Sequence, residues 1–245
     1  GGEITCPESL AINFSDRHYA IGADGIVLIE KSEAADAKVR IFNCDGKELR
    51  LAANPIRCVA KYLFDNKFVG ERMSIECGCG IYELTVNSFN GKASSVSMLL
   101  GSPVCEKKDN ISLNGQNYSA VSVNIGISHL VVYTDKVEEA DMEALGQALI
   151  ENGKFTEGAY LECARVVNGV TAKMRVWDKY NGETLSCGTA AAAVAVASML
   201  NGQCLYGEII TVKLKGGDLF VKYDKEGIIE LDGPVKQSFN GSIEI

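Results

Sequence analysis

The sequence predicts an α/β chain of two pseudo-symmetric lobes, each mostly sheet with one central helix, and three observations predict it. Short β-rich segments recur through both halves and are punctuated by turns such as Asp45-Gly46 and Asn90-Gly91. Each half carries one helix that follows a run of small residues. The segments leading into these helices also echo one another. Asp45 to Asn54 (DGKELRLAAN) leads into the first helix, and Asn181 to Ala190 (NGETLSCGTA) leads into the second. Both run turn, short strand, small residues, helix.

Taken in order, a helix-like stretch opens at Pro7-Glu8-Ser9, and strands are expected at 25–30, 37–43, 73–77, 81–88 and 93–99. The helix at 55–66 begins at Pro55, a natural first-turn residue, and sets Ile56, Val59, Ala60 and Leu63 on one face. The second half repeats the pattern with strands at 119–125, 129–133, 159–167 and 171–177. A helix with an acidic start lies at 138–152, and a second central helix at 189–201. Two hairpin-like pairs close the chain, 209–214 with 218–223 and 228–231 with 238–245. The expected lobes are 1–117, completed by a returning strand at 235–245, and 118–234.

Composition narrows the function classes. A chain of 245 residues with 47% hydrophobic residues can bury a full core. The net charge of -8, with basic residues spread singly among acidic ones, argues against a nucleic-acid partner. No apolar run approaches the roughly 20 residues that span a bilayer, and the longest, 190–200, is alanine-rich; no membrane association is expected. Nine cysteines at irregular spacings fit a reducing, cytoplasmic setting better than a disulfide framework. Cys77-Gly78-Cys79 is tighter than a zinc knuckle and reads as a pair of strand thiols, with no metal expected. Gly1-Gly2 without an initiator Met suggests an N-terminus that has been trimmed or left out.

The chemistry is expected where the two central helices begin. Unpaired N–H groups and the positive dipole end let a helix N-terminus hold a carboxylate without Lys or Arg. Ala52, Ala53, Gly188 and Thr189 are small enough to admit a ligand to the main chain. Cys187, just before the second helix, is the best nucleophile or base of the nine, since the dipole there should lower its pKa. On spacing alone it could instead be a small residue filling a tight turn.

These residues also carry a family resemblance. Asp16 to Gly25 (DRHYAIGADG), Ile41 to Gly46 (IFNCDG), Ile56 to Ala60 (IRCVA), Gly182 to Ala190 (GETLSCGTA) and Val212 to Leu219 (VKLKGGDL) are similar to the signatures of diaminopimelate epimerases. The likeness spans nearly the whole chain, and only the extreme N-terminal signature is missing. It implies two lobes, each a mostly antiparallel sheet wrapped around its central helix, with the active site in the cleft between them. It also implies a two-base isomerase that inverts the α-carbon of a free amino acid without pyridoxal phosphate or any other cofactor, and a homodimer. One thiolate removes the α-proton while a thiol on the opposite face delivers another.

Cys187 matches one family cysteine; the other falls at Ala52, where no thiol can act. Ala52 could be an engineered replacement, the mark of a natural homologue that binds without turnover, or a loss made good by Cys44 or Cys58. Cys58 is expected to point into the core. Asn43 and Asn54 match the family's polar contacts, and Asp178 takes the place of a carboxylate near the reacting ammonium. Other positions depart from the family. Ile127 replaces an amide in Gly126-Ile127-Ser128-His129, Tyr160 replaces an Asn, and Lys179 stands where the family has Arg. These changes remove recognition of a second amino-acid head. They turn the expectation from diaminopimelate toward a smaller or aromatic side chain, histidine included, with Tyr160 stacking on or hydrogen-bonding an imidazole. Diaminopimelate epimerase proper and a non-catalytic amino-acid binding homologue are the alternatives. Glu183 is expected to support the loop before Cys187 or join a thiol's proton network, Arg57 to pair within the fold, and His18 and His129 to be structural.

Overall fold

A computed structural model describes residues 4–113, 115–151, 153, 159–179 and 181–243; for 105–109 and 113 it describes the backbone alone. The elements are α1 (Pro7–Ser15), β1 (Gly25–Glu30), β2 (Ala37–Asn43), β3 (Glu48–Leu49), α2 (Ala53–Asp65), β4 (Arg72–Cys77), β5 (Gly80–Phe89), β6 (Lys92–Gly101) and β7 (Val104–Leu113). They continue with β8 (Gln116–Asn124), β9 (Ser128–Tyr133), a 3-10 turn (Val137–Glu139), α3 (Met142–Glu151), β10 (Tyr160–Asn168), β11 (Thr171–Asp178) and β12 (Gly182–Thr184). The chain then runs through α4 (Gly188–Leu200), β13 (Ile209–Leu214), β14 (Gly217–Tyr223) and β15 (Ile229–Pro234).

The strands form one continuous path, β1-β2-β4-β5-β6-β15-β14-β13-β11-β10-β9-β8-β7, with β3 on β2 and β12 on β11. Most pairings are antiparallel; β2/β4, β9/β10 and β11/β13 are parallel. The path curls twice. Its first half lies against α2, through β1, β4, β5 and β6, and its second half lies against α4, through β8 to β11, β13 and β14. β15 is the seam, since it bonds β6 on one side and β14 on the other.

The helix sequences explain this arrangement. α2 is amphipathic and buries Ile56, Val59, Ala60 and Leu63 while its other face looks outward. Burial of each large apolar side chain contributes about 1.5–3 kcal/mol. α4 is apolar on every side and is buried from Gly188 to Met199, the signature of a helix enclosed by its neighbours. Its alanines leave room for strands to close around it. α3 covers the outer face of the second half, where Met142, Leu145 and Leu149 pack with Leu161 and Trp177. Gly146 is needed at that contact, because a Cβ there would lie 2.5 Å from the Trp177 ring.

Several expectations require correction. β7 was not foreseen, and it pairs with β8. Along the sheet path β7 therefore lies at the far end, beside β8. No strand forms over 235–243, and 244–245 lie outside the described residues. The partner expected from that tail is supplied by β6, so β15 is sandwiched rather than hairpinned. α2 starts at Ala53 rather than Pro55, and Pro55 is tolerated because the first-turn N–H groups have no helical acceptor. The acidic-start segment divides into the 3-10 turn and α3, and Asn152 lies outside the described residues. Cys58 is exposed on α2 instead of pointing into the core.

Candidate active site

The echo read from the sequence becomes a symmetric pair of helix starts. β3 pairs with β2 and precedes α2; β12 pairs with β11 and precedes α4. Ala52 caps α2 with φ -152 and ψ 112, and Cys187 caps α4 with φ -138 and ψ 122. In both, the cap carbonyl accepts the first helical hydrogen bond, from Ile56 N–H and Ala191 N–H respectively. Ala52 and Cys187 are therefore structural equivalents, one in each lobe.

The two helix ends touch. A Cβ on Gly188 would lie 3.0 Å from Ala53 Cβ, 3.1 Å from Asn54 Oδ1 and 2.7 Å from Leu231 Cδ2. Only glycine lets the N-terminus of α4 come this close to that of α2. Asn54 fastens the contact by donating its Nδ2 to the Ser186 carbonyl at 3.2 Å. Behind it, buried Arg57 donates to Val96 O (3.0 Å), Pro234 O (3.2 Å) and Asn54 Oδ1 (3.4 Å). Arg57 thus pairs within the fold as expected, joining α2 to the β6–β15 seam and orienting Asn54. A second tie between the lobes runs from Asn43 Nδ2, at the end of β2, to Asn181 Oδ1 at 2.8 Å. Asn181 also donates its backbone N–H and its amide to Asp178.

Cys187 is half-buried, with its Sγ 3.4 Å from Thr189 Oγ1. Its thiol pKa is raised, opposite to the expectation. Burial outweighs the lowering from the Thr189 hydroxyl and the N–H groups of Ala190 and Thr189, and Glu162 raises it further. The helix end acts in the anticipated direction; the desolvation that encloses the site is the larger effect.

Tyr160 lies at the start of β10 in register with His129 on β9, so both side chains share a face. Their rings stack at 5.4 Å between centroids with 26° between planes. The tyrosine therefore stacks on the chain's own imidazole. Its phenol pKa is raised by burial and then by Cys187, Asp178 and Glu162, which places it in the electrostatic reach of all three. His129 Nδ1 meets Glu162 Oε1 at 2.7 Å, and both side chains are fully buried. Ile127 is half-buried in the β8–β9 turn, whose Gly126 stands against Leu51, the residue before Ala52.

Some residues lie apart from this cluster. Lys179 is exposed. Cys44 and Cys58 are exposed too. His18 is on the surface beside Tyr19. Glu183 serves the loop mechanically: Arg175 and Lys215 hold its carboxylate, each at 2.7 Å, and push its pKa down to about 2. Arg175 also donates to the carbonyls of Val137, Glu138 and Ala140. Gly216 N–H holds Leu185 O at 2.8 Å, so the segment entering Cys187 is gripped from both sides. Among the described residues no group of three or more His, Cys, Asp or Glu is placed to hold a metal, and no helix is long and apolar enough to cross a membrane. Sequence reasoning missed the Glu162 partner of His129. The period-2 pattern of β10 puts Glu162 on the same face as Tyr160, but only the parallel β9/β10 pairing brings it to the imidazole.

Comparison with known proteins agrees with this architecture. The family model described as diaminopimelate epimerase matches residues 3–106 and 121–237. A diaminopimelate epimerase of Methanococcus maripaludis (strain C5) is 36% identical over 99% of this chain and 92% of its own length. One from Acetivibrio thermocellus is 37% identical over 98% of this chain and 90% of its own length. Among solved structures, a probable proline racemase from Agrobacterium radiobacter K84 superposes with a TM-score of 0.74 at 15% identity, covering 93% of this chain and 78% of that one, and shares the fold.

Proposed function

Because the chain belongs to the diaminopimelate epimerase family, a family of isomerases, we propose that its cleft binds a free amino acid and exchanges the α-proton without pyridoxal phosphate. The reading rests on one observation above the others: Cys187 caps a helix whose N-terminus abuts that of α2 across Gly188 and Ala53. A carboxylate set on the two helix ends would meet N–H groups of both lobes. Negative charge developing on that carboxylate, as the α-proton leaves toward Cys187, would be stabilised by donors already in place. Thr189 and the N–H groups at the helix start would steady the thiolate. Asn43, Asn54 and Asp178 would position the ammonium and side chain from the two lobes.

Ala52 occupies the equivalent cap in the first lobe, so the two-thiol route is closed to this chain. The substrate we favour lacks a second amino-acid head. Ile127 and Tyr160 offer no charge to pair with one, and Lys179 is a flexible exposed cation. Histidine is the first compound to try, with the Tyr160 phenol as a hydrogen-bonding partner, since its ring face is engaged by His129. The test is α-proton exchange in heavy water, followed by NMR, for each enantiomer of histidine, other amino acids and diaminopimelate, with the unaltered chain and the Ala52→Cys variant. Inversion by the variant supports the reading and names the substrate. Turnover of diaminopimelate without histidine would remove the histidine assignment. Ala52 also favours a second reading, a protein that binds an amino acid without converting it; tight binding with no exchange in either protein would select it.

A further inference from the structure

Among the described residues of the second lobe, two side-chain atoms are buried without a hydrogen-bond partner: His129 Nε2 and Glu162 Oε2. Leaving such groups unsatisfied is costly, and both sit in one pair, joined through Nδ1 and Oε1 at 2.7 Å. The paired carboxyl orients the ring through Nδ1 and leaves Nε2 as the nitrogen without a protein partner. On one side the imidazole is stacked by Tyr160, itself within the field of Cys187. The turn that begins its strand packs at Gly126 on Leu51, next to Ala52. The imidazole's stacking partner thus lies in the field of the cap that has a thiol, and its strand begins beside the residue preceding the cap that lacks one.

We propose that His129, held by Glu162, supplies the acid–base group opposite Cys187, so that this chain inverts an α-carbon with one thiol and one imidazole. The inference rests on the racemase reading above. In one direction the Cys187 thiolate takes the α-proton and becomes a thiol, the electron pair passes into the substrate carboxylate, and protonated His129 delivers its Nε2 proton to the opposite face and becomes neutral. The reverse direction restores both groups. No oxidant, reductant or further reactant is required.

The experiment follows both enantiomers of the proteinogenic amino acids, and diaminopimelate, in heavy water with four full-length proteins: the unaltered chain, His129→Gln, Ala52→Cys, and the double variant. The expected result is inversion by the unaltered chain for at least one amino acid, a loss of about 100-fold or more in His129→Gln, and recovery in the double variant through the new thiol. Recovery would show that the imidazole stands in for a thiol and is not needed for folding. Inversion by Ala52→Cys but not by the unaltered chain overturns the proposal and leaves the racemase reading intact. Undiminished inversion in His129→Gln, or a dead double variant beside an active Ala52→Cys, overturns it as well. No inversion by any of the four removes both.

Discussion

Tyr160 and His129 lie opposite one another on the parallel strands β10 and β9 and stack at 5.4 Å. The contact fixes an imidazole that Glu162 grips from behind. Tyr160→Phe retains the ring and should unfold within about 1 kcal/mol of the unaltered chain. Tyr160→Ala removes the stack and most of the packing, and should cost about 3–5 kcal/mol. Urea denaturation of the two variants measures the difference.

The raised thiol of Cys187 makes an order of labelling predictable. Iodoacetamide at neutral pH should modify the exposed Cys6 and Cys44 first, ahead of Cys58, whose thiol is also pushed up by burial. Cys187 should react slowly until the pH passes 9.0, its ordinary value. Thr189→Val removes a stabilising hydroxyl, which should push the onset to higher pH still. Peptide mass spectrometry across a pH series checks both.

Gly188→Ala tests the contact between helix ends. The added methyl meets Leu231, Ala53 and Asn54 at 2.7–3.1 Å, so α2 and α4 must separate. The expected cost is about 1–3 kcal/mol. Amino-acid affinity should fall by at least 10-fold, measured by calorimetry on the folded variant.

Arg57→Leu leaves the carbonyls of Val96 and Pro234 without this donor and frees Asn54 from its support. Destabilisation of about 3 kcal/mol or more is expected. Asn54→Ala, which breaks the links to Ser186 and Arg57 but leaves Arg57 on the Val96 and Pro234 carbonyls, should be milder in stability and comparably damaging to binding.

The clamp on Glu183 gives a pH signature. Its folded pKa of about 2 lies below the ordinary 4.5, so the stabilisation is complete above 4.5 and is lost as pH falls through about 2. Glu183→Gln should flatten that part of the acid limb and lower stability at neutral pH. Urea midpoints measured from pH 6 to pH 2 provide the comparison.

Much of this protein follows from its sequence alone. Period-2 segments fixed most strands, the amphipathic face of Ile56, Val59, Ala60 and Leu63 fixed α2, and the repeated turn, short strand and small-residue pattern located the paired caps Ala52 and Cys187. These are local signals, carried by neighbours in the chain. Tertiary structure decided what depends on distant partners. β7 belongs to the second half because β8 accepts it, and β15 joins the halves because β6 and β14 flank it. Cys187 carries a raised thiol because the enclosing fold desolvates it more strongly than its own helix can compensate, and His129 meets Glu162 only because two strands run parallel. Register and desolvation are properties of the assembled core, and no short stretch of sequence contains them.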